Sequence, residues 1–150
     1  MGGSRRSHPR DRESTLILVA DDEFLGRVVI AEELREIGYT VIEAVSGDEA
    51  AELIDLCPVD LVISDLKMPG RLDGAGLAAF VAEEYPALPV LLMSADAPDP
   101  AVLRQVEGFY SKPVPVDRIC ADVAALLDGE VSGELADPIP QLLCAGGCPG

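Results

Sequence analysis

The sequence predicts an α/β fold built on a doubly wound parallel sheet, and three observations predict it. Short apolar runs and helically spaced segments alternate five times between Leu16 and Leu127. The apolar runs are nearly continuous, as in strands covered on both faces. Acidic, hydroxyl and lysine side chains stand directly after several of these runs, where open α/β sheets bind their ligands.

Leu16–Ala20 is the first strand, ended by Asp21-Asp22. Apolar residues at 25, 28, 29, 30, 34 and 37 give residues 24–37 a helical spacing that Gly38 closes. Thr40–Ala44 is the second strand, Gly47–Leu56 the second helix, and 61–63 the third strand, stopping at Ser64-Asp65. A helix over about Gly74–Glu84 precedes a strand over 89–93. Then come a proline-rich turn, Ala97-Pro-Asp-Pro100, a short helix near 101–107, a brief strand around Phe109-Tyr110 and a last helix over 116–127. Residues 1–14 are polar with no apolar period and are expected to be a disordered tail. Residues 130–150 carry Gly, Pro and Cys in a loose pattern and form a second tail, leaving 15–129 as one domain.

The 150 residues suffice for one domain with a sizeable core. Twenty-seven acidic side chains against 11 basic ones give a net charge of −16, which argues against nucleic acid as a direct ligand. Four arginines against two acids in residues 1–14 concentrate the acidity in the rest of the chain, which suits a bound cation or a basic partner surface. No apolar stretch is long enough for a membrane span, and the N-terminus lacks the apolar core of a secretory signal. Cys57, Cys120, Cys144 and Cys148 do not cluster like a disulfide scaffold or a zinc site and read as reduced thiols of a cytoplasmic protein. Nine Arg against two Lys fit a GC-rich bacterial source.

If the strand order is 2-1-3-4-5, the first and third strands are neighbours, and Asp21, Asp22 and Asp65 converge, with Ser94 and Lys112 approaching from the other side. Three carboxylates so close repel one another unless a cation sits among them. Hard oxygen ligands favour Mg²⁺. A carboxylate beside Mg²⁺, a hydroxyl and an ammonium is an arrangement for phosphoryl transfer.

These residues carry a resemblance. Val19-Ala-Asp-Asp-Glu23, Ser64-Asp-Leu-Lys-Met-Pro69, Asp73-Gly74, Ser94-Ala95 and Lys112-Pro113 together resemble the receiver domain of two-component response regulators, over about residues 15–128. The resemblance implies a flavodoxin-like (βα)₅ fold with Asp65 accepting a phosphoryl group from a histidine kinase or histidine phosphotransfer protein. It implies Mg²⁺ held by Asp21, Asp22, Asp65 and the backbone carbonyl of Lys67. It also implies Ser94 and Phe109 as switch residues, Lys112 as the phosphoryl-contacting lysine, and a cis Lys112-Pro113 bond. The act implied is self-catalysed transfer followed by slow autodephosphorylation, not conventional turnover, in a monomer or weak dimer. Residues 130–150 are too few for an output domain, so a single-domain regulator is expected.

The sequence also departs from the family. The loop between Pro69 and Asp73-Gly74 is one residue longer than usual, and the stretch from Ser94 to Lys112 is short by about one helical turn, predicting a shortened fourth helix. Strand alternation lets only one of Phe109 and Tyr110 face the switch pocket, and the spacing to Lys112 favours Phe109. Lys67 and Asp96 flank the inferred site and are placed to pair across it. The alternative is a receiver-fold interaction module that works without phosphate. A phosphatase of related fold is disfavoured because Lys67, not an aspartate, lies two positions past Asp65, and a flavin carrier because two aspartates would repel its phosphate.

Overall fold

The computed structural model describes residues 11–129; the expectations for residues 1–10 and 130–150, including Cys144 and Cys148, lie outside these. Five strands, β1 (Leu16–Ala20), β2 (Thr40–Ala44), β3 (Leu61–Asp65), β4 (Val90–Ser94) and β5 (Gly108–Ser111), form one parallel sheet in the order β2-β1-β3-β4-β5. The helices are α1 (Phe24–Glu36), α2 (Gly47–Leu56), α3 (Gly74–Glu84), α4 (Pro100–Leu103) and α5 (Val116–Asp128). The 2-1-3-4-5 order and the doubly wound architecture are those the sequence predicts.

Alternation along each strand divides the interior into two layers. Ile17, Val19, Ile63, Leu91, Met93 and Tyr110 face α1 and α5, against Ile30, Leu34, Ile119 and Val123. Leu18, Ala20, Val62 and Leu92 face the other way, against Ile54 of α2 and Leu77 and Val81 of α3. Burying both faces explains why the strands read as continuous apolar runs. Ser46 caps α2 by accepting the Glu49 amide at 3.1 Å, while Glu49 accepts the Val45 amide at 2.8 Å. Asp73 caps α3 by accepting the Gly76 amide at 2.9 Å.

Several boundaries shift. β3 runs through Ser64 and Asp65, and β4 through Ser94, because their neighbours hold them in register: Ala20 against Ser64, Asp65 against Met93, Ser94 against Ser111. Polar side chains at a strand's end do not interrupt its backbone ladder. The fourth helix is shorter still than expected, Pro100–Leu103 in place of 101–107. The Glu107 amide is already bonded to the carbonyl of Val90 at 2.8 Å, so the chain must straighten into β5.

The expected tail 1–14 is corrected at its inner end, where Arg12–Ser14 form a 3₁₀ turn against the body of the domain. The Arg12 guanidinium meets Asp128 of α5 at 2.7 Å, donates to the Ile37 carbonyl at 2.9 Å and lies over the Tyr39 ring. No helix among the described residues is long and apolar enough to cross a membrane.

Tyr110 donates its hydroxyl proton to Asp122, a buried carboxylate on α5. Burial pushes the Asp122 carboxyl above its ordinary value of 3.8, against the lowering effects of Tyr110 and Arg118. A raised folded-state value means that the native chain keeps this proton to higher pH than the unfolded chain, so the group's contribution to stability is lost as pH rises from 3.8 through the folded value. Asp122→Asn retains an acceptor oxygen and removes the charge. Its urea midpoint is therefore expected to exceed that of the wild type at neutral pH and to converge with it below 3.8. A difference independent of pH would refute this.

Candidate functional site

The site lies at the carboxyl end of the sheet, around the adjacent ends of β1 and β3. Asp21 follows β1 and is buried; Asp65 ends β3 and is buried; Asp22 is exposed beside them. Carboxylate oxygens of Asp21, Asp22 and Asp65 all lie within 4.8 Å of one another. Lys112, directly after β5, brings its Nζ to 3.0 Å from Asp65 Oδ1. The Lys112 amide donates to the Ser94 carbonyl at 3.0 Å, and the Lys112-Pro113 bond is cis.

Electrostatics mark the acidic trio. Burial raises the Asp21 carboxyl, opposed by the Glu23 amide and assisted by the charge of Asp65. Burial likewise raises Asp65, with Lys112 pulling the other way and Asp22 adding repulsion. The Lys112 ammonium loses by burial but gains more from Asp65 and Asp21, and its affinity for a proton rises. One ammonium against three carboxylates leaves an excess of negative charge that a divalent cation would neutralise. An all-oxygen, partly exposed donor set fits Mg²⁺, which keeps some of its waters and takes few carboxylates.

The other predicted residues fall around this centre. Ser94 is buried, and its Oγ accepts the Asp96 amide at 3.1 Å. Phe109 lies opposite Leu92 on the sheet face shared with Ser94 and, like Val102 and Val106, packs against the core layer of that face, while Tyr110 faces α5. Of the two adjacent aromatics, it is therefore Phe109 that shares the Ser94 face. Lys67 and Asp96 form an exposed ion pair of 3.0 Å between the loops after β3 and β4. The long loop after β3 leans on α2: the Arg71 amide donates to Asp48 at 3.0 Å, and Gly47 lies under the Leu72 carbonyl, where a Cβ would come within 2.3 Å.

The chain matches the model of the response regulator receiver domain over residues 17–124. The chain belongs to this family. Among its relatives, this receiver domain is 46% identical to the transcriptional regulatory protein PdtaR of Mycobacterium tuberculosis over 80 residues, 53% of this chain and 38% of that one. It is 32% identical to the sensor histidine kinase RcsC of Escherichia coli over 113 residues, 73% of this chain and 12% of that one. The chain therefore spans less than two fifths of either curated relative. Among solved structures, response regulator TrrA of Thermotoga maritima, in complex with Mg²⁺-BeF, superposes with a TM-score of 0.70 at 30% identity, covering 75% of this chain and 99% of that one.

Sequence reasoning missed the polar support behind the receiver site. Arg27 donates to the Asp21 carbonyl at 2.9 Å and to Glu43 at 2.8 Å. Nothing in the local spacing marks these residues, because Arg27 of α1 and Glu43 of β2 meet only where the helix packs against that edge strand.

Proposed function

We propose that this receiver domain accepts a phosphoryl group on Asp65 from the phosphohistidine of a histidine kinase or histidine phosphotransfer protein, in an Mg²⁺-dependent step. The observation that carries it is the Asp65–Lys112 pair at 3.0 Å, set against Asp21 and Asp22. An Asp65 carboxylate oxygen forms the new O–P bond as the N–P bond breaks and the imidazole departs with a proton. The Lys112 ammonium balances charge on the phosphoryl oxygens. Ser94 Oγ is held by the Asp96 amide as an acceptor and keeps its own proton to donate to a new oxygen. Asp21, Asp22, Asp65 and the Lys67 carbonyl would hold Mg²⁺, which when bound supplies charge neutralisation for the carboxylates and the phosphoryl group.

On this reading, phosphorylation draws Ser94 inward and repacks Phe109 with Val102 and Val106, altering the surface offered to a protein partner. The test is incubation with acetyl phosphate with and without Mg²⁺, read by intact mass. A gain of one phosphoryl group only with Mg²⁺ is expected. No gain, with Mg²⁺ binding demonstrated, overturns the phosphoacceptor reading and leaves a phosphate-independent docking module.

The donor's histidine has to be brought over Asp65, and α1 offers the apolar rim for this. Phe24, Leu25 and Val29 are 62%, 71% and 49% exposed. Leu25 and Val29 border a cavity of about 310 Å³ that reaches Asp21, Lys112, Pro113 and Val116. Desolvated apolar anchors of this kind carry most of the energy of an interface. The double variant Leu25→Glu, Val29→Glu is expected to slow transfer from a phosphorylated histidine phosphotransfer protein by about tenfold or more. Its labelling by acetyl phosphate should match the wild type. Equal slowing with both donors would place the defect in the site itself.

A further inference from the structure

We propose that Arg27, locked in place by Glu43, is a positioning residue that mounts Asp21 so that its carboxylate faces Asp22 and Asp65. This rests on the reading of the acidic trio as an Mg²⁺ site. Asp21 lies one residue past the end of the β1 ladder, where strand pairing alone no longer fixes its orientation. Three of its polar groups are nonetheless committed. Its amide donates to the Ala44 carbonyl at 3.0 Å, its carbonyl accepts Arg27 Nη1 at 2.9 Å, and its Oδ1 accepts the Glu23 amide at 2.9 Å. Oδ2 remains. The residue beside it is Gly26, where a Cβ would stand 3.2 Å from that oxygen, so the missing side chain keeps Oδ2 clear.

Arg27 can hold the carbonyl only if its own side chain is fixed, and it is. The side chain is 12% exposed, its Nε meets Glu43 Oε1 at 2.8 Å, and its guanidinium lies 5.5 Å from the centre of the Phe24 ring. Glu43 is fixed in turn by Arg35, 3.0 Å from its other oxygen, and Arg35 also donates to the Val41 carbonyl at 2.9 Å. Burial opposes the Glu43 charge, but Arg27 and Arg35 together hold its carboxyl below the ordinary value, so it stays ionised at neutral pH. A continuous polar chain thus runs from the edge strand β2 through α1 to the back of Asp21, with no member touching the front of the site.

The alternative to positioning is a field effect, and the two predict opposite signs. A bare guanidinium near three carboxylates repels a divalent cation, so its removal by Arg27→Ala would tighten Mg²⁺ binding. With the charge offset by Glu43, what Arg27 contributes is the directed N–H bond to the Asp21 carbonyl, and its removal loosens the site. Lysine retains the charge but cannot meet the carbonyl and Glu43 from one rigid plane.

The experiment is an Mg²⁺ titration of the full chain, followed by amide NMR shifts, for wild type, Arg27→Ala, Arg27→Lys and Glu43→Gln, with urea unfolding of each in chelator. Arg27→Ala and Arg27→Lys are expected to weaken Mg²⁺ binding about tenfold, and Glu43→Gln by less, as for other groups that orient metal ligands. Wild-type affinity in Arg27→Ala with only a lower unfolding midpoint would make the role structural and overturn the proposal; tighter binding would also overturn it. Should Arg27→Ala fail to fold, Arg27→Lys and Glu43→Gln decide the matter in the same way. An absence of Mg²⁺ shifts in the wild type would remove the metal reading and this proposal together, a pattern distinct from normal wild-type binding with unaltered variants.

Discussion

Asp65→Asn is expected to abolish phosphoryl labelling, a loss of about three orders of magnitude or more in the rate of mass gain from acetyl phosphate. The carboxamide offers no anionic oxygen to phosphorus, while the fold around it should persist. Asp65 stands at the end of a strand paired with β1 and β4 through the backbone, and its side chain contributes repulsion toward Asp22 as well as attraction to Lys112. In chelator the variant should therefore unfold no earlier than the wild type by more than about 1 kcal/mol, since one charged hydrogen bond is exchanged for relief of like charge. Intact mass after a fixed incubation reads the first outcome, and urea unfolding the second. Undiminished labelling of the variant would move the acceptor to another carboxylate, with the exposed Asp22 the first to examine.

Gly74→Ala is expected to be the most damaging single methyl addition near the site. α3 begins so close to the end of β3 that a Cβ at position 74 would stand 2.2 Å from the Asp65 carbonyl oxygen and 2.6 Å from Leu66 Cα. Both obstacles are backbone, so no rotamer change relieves them. Either α3 lifts from the Leu77, Ala78 and Val81 contacts, or the end of β3 moves and carries Asp65 with it. A cost of about 3 kcal/mol or more follows, lowering Tm by roughly 10 °C or more. Gly76→Ala is the control. Its Cβ would meet only side-chain atoms, Leu72 Cγ at 3.3 Å and Asp73 Oδ1 at an ordinary 3.5 Å, and alanine's helix propensity offsets the crowding, leaving stability within about 1 kcal/mol of wild type. Equal behaviour of the two variants would show that α3 does not sit as tightly on β3 as the structure places it.

The acidic site was legible because its members sit directly after apolar runs. Asp21-Asp22 after Leu16–Ala20 and Asp65 after Val62-Ile63 needed only the strand order to become neighbours. Lys112 was legible for a similar reason, as one of two lysines and the only one beside the fifth apolar run. What the sequence did not reveal is the scaffold of long-range polar pairs. Arg27 and Glu43 are 16 residues apart, and each alone is an ordinary charged residue of a helix or an edge strand. The Arg71–Asp48 contact was hidden in the same way, since a loop one residue longer can fold in many directions until Asp48 is known to point at it. Arg12 misled by composition: a polar segment with no apolar period reads as a tail, and only the meeting of its guanidinium with Asp128 and the Tyr39 ring shows it docked. Strand ends were misjudged because side-chain polarity was used to locate a feature that backbone pairing controls.

The Arg12–Asp128 contact has a topological consequence. It joins residues 116 positions apart, so the first and last turns among the described residues meet at a single corner. Strand β1 leaves that corner and α5 returns to it, which puts the corner at the amino end of the parallel sheet, the far end from Asp65. Rejoining the chain there with a short linker would close a gap already spanned, at little entropic cost. The backbone could then be opened at another surface turn, such as the one after α2, yielding a circular permutant with the same sheet order and an unobstructed Asp65.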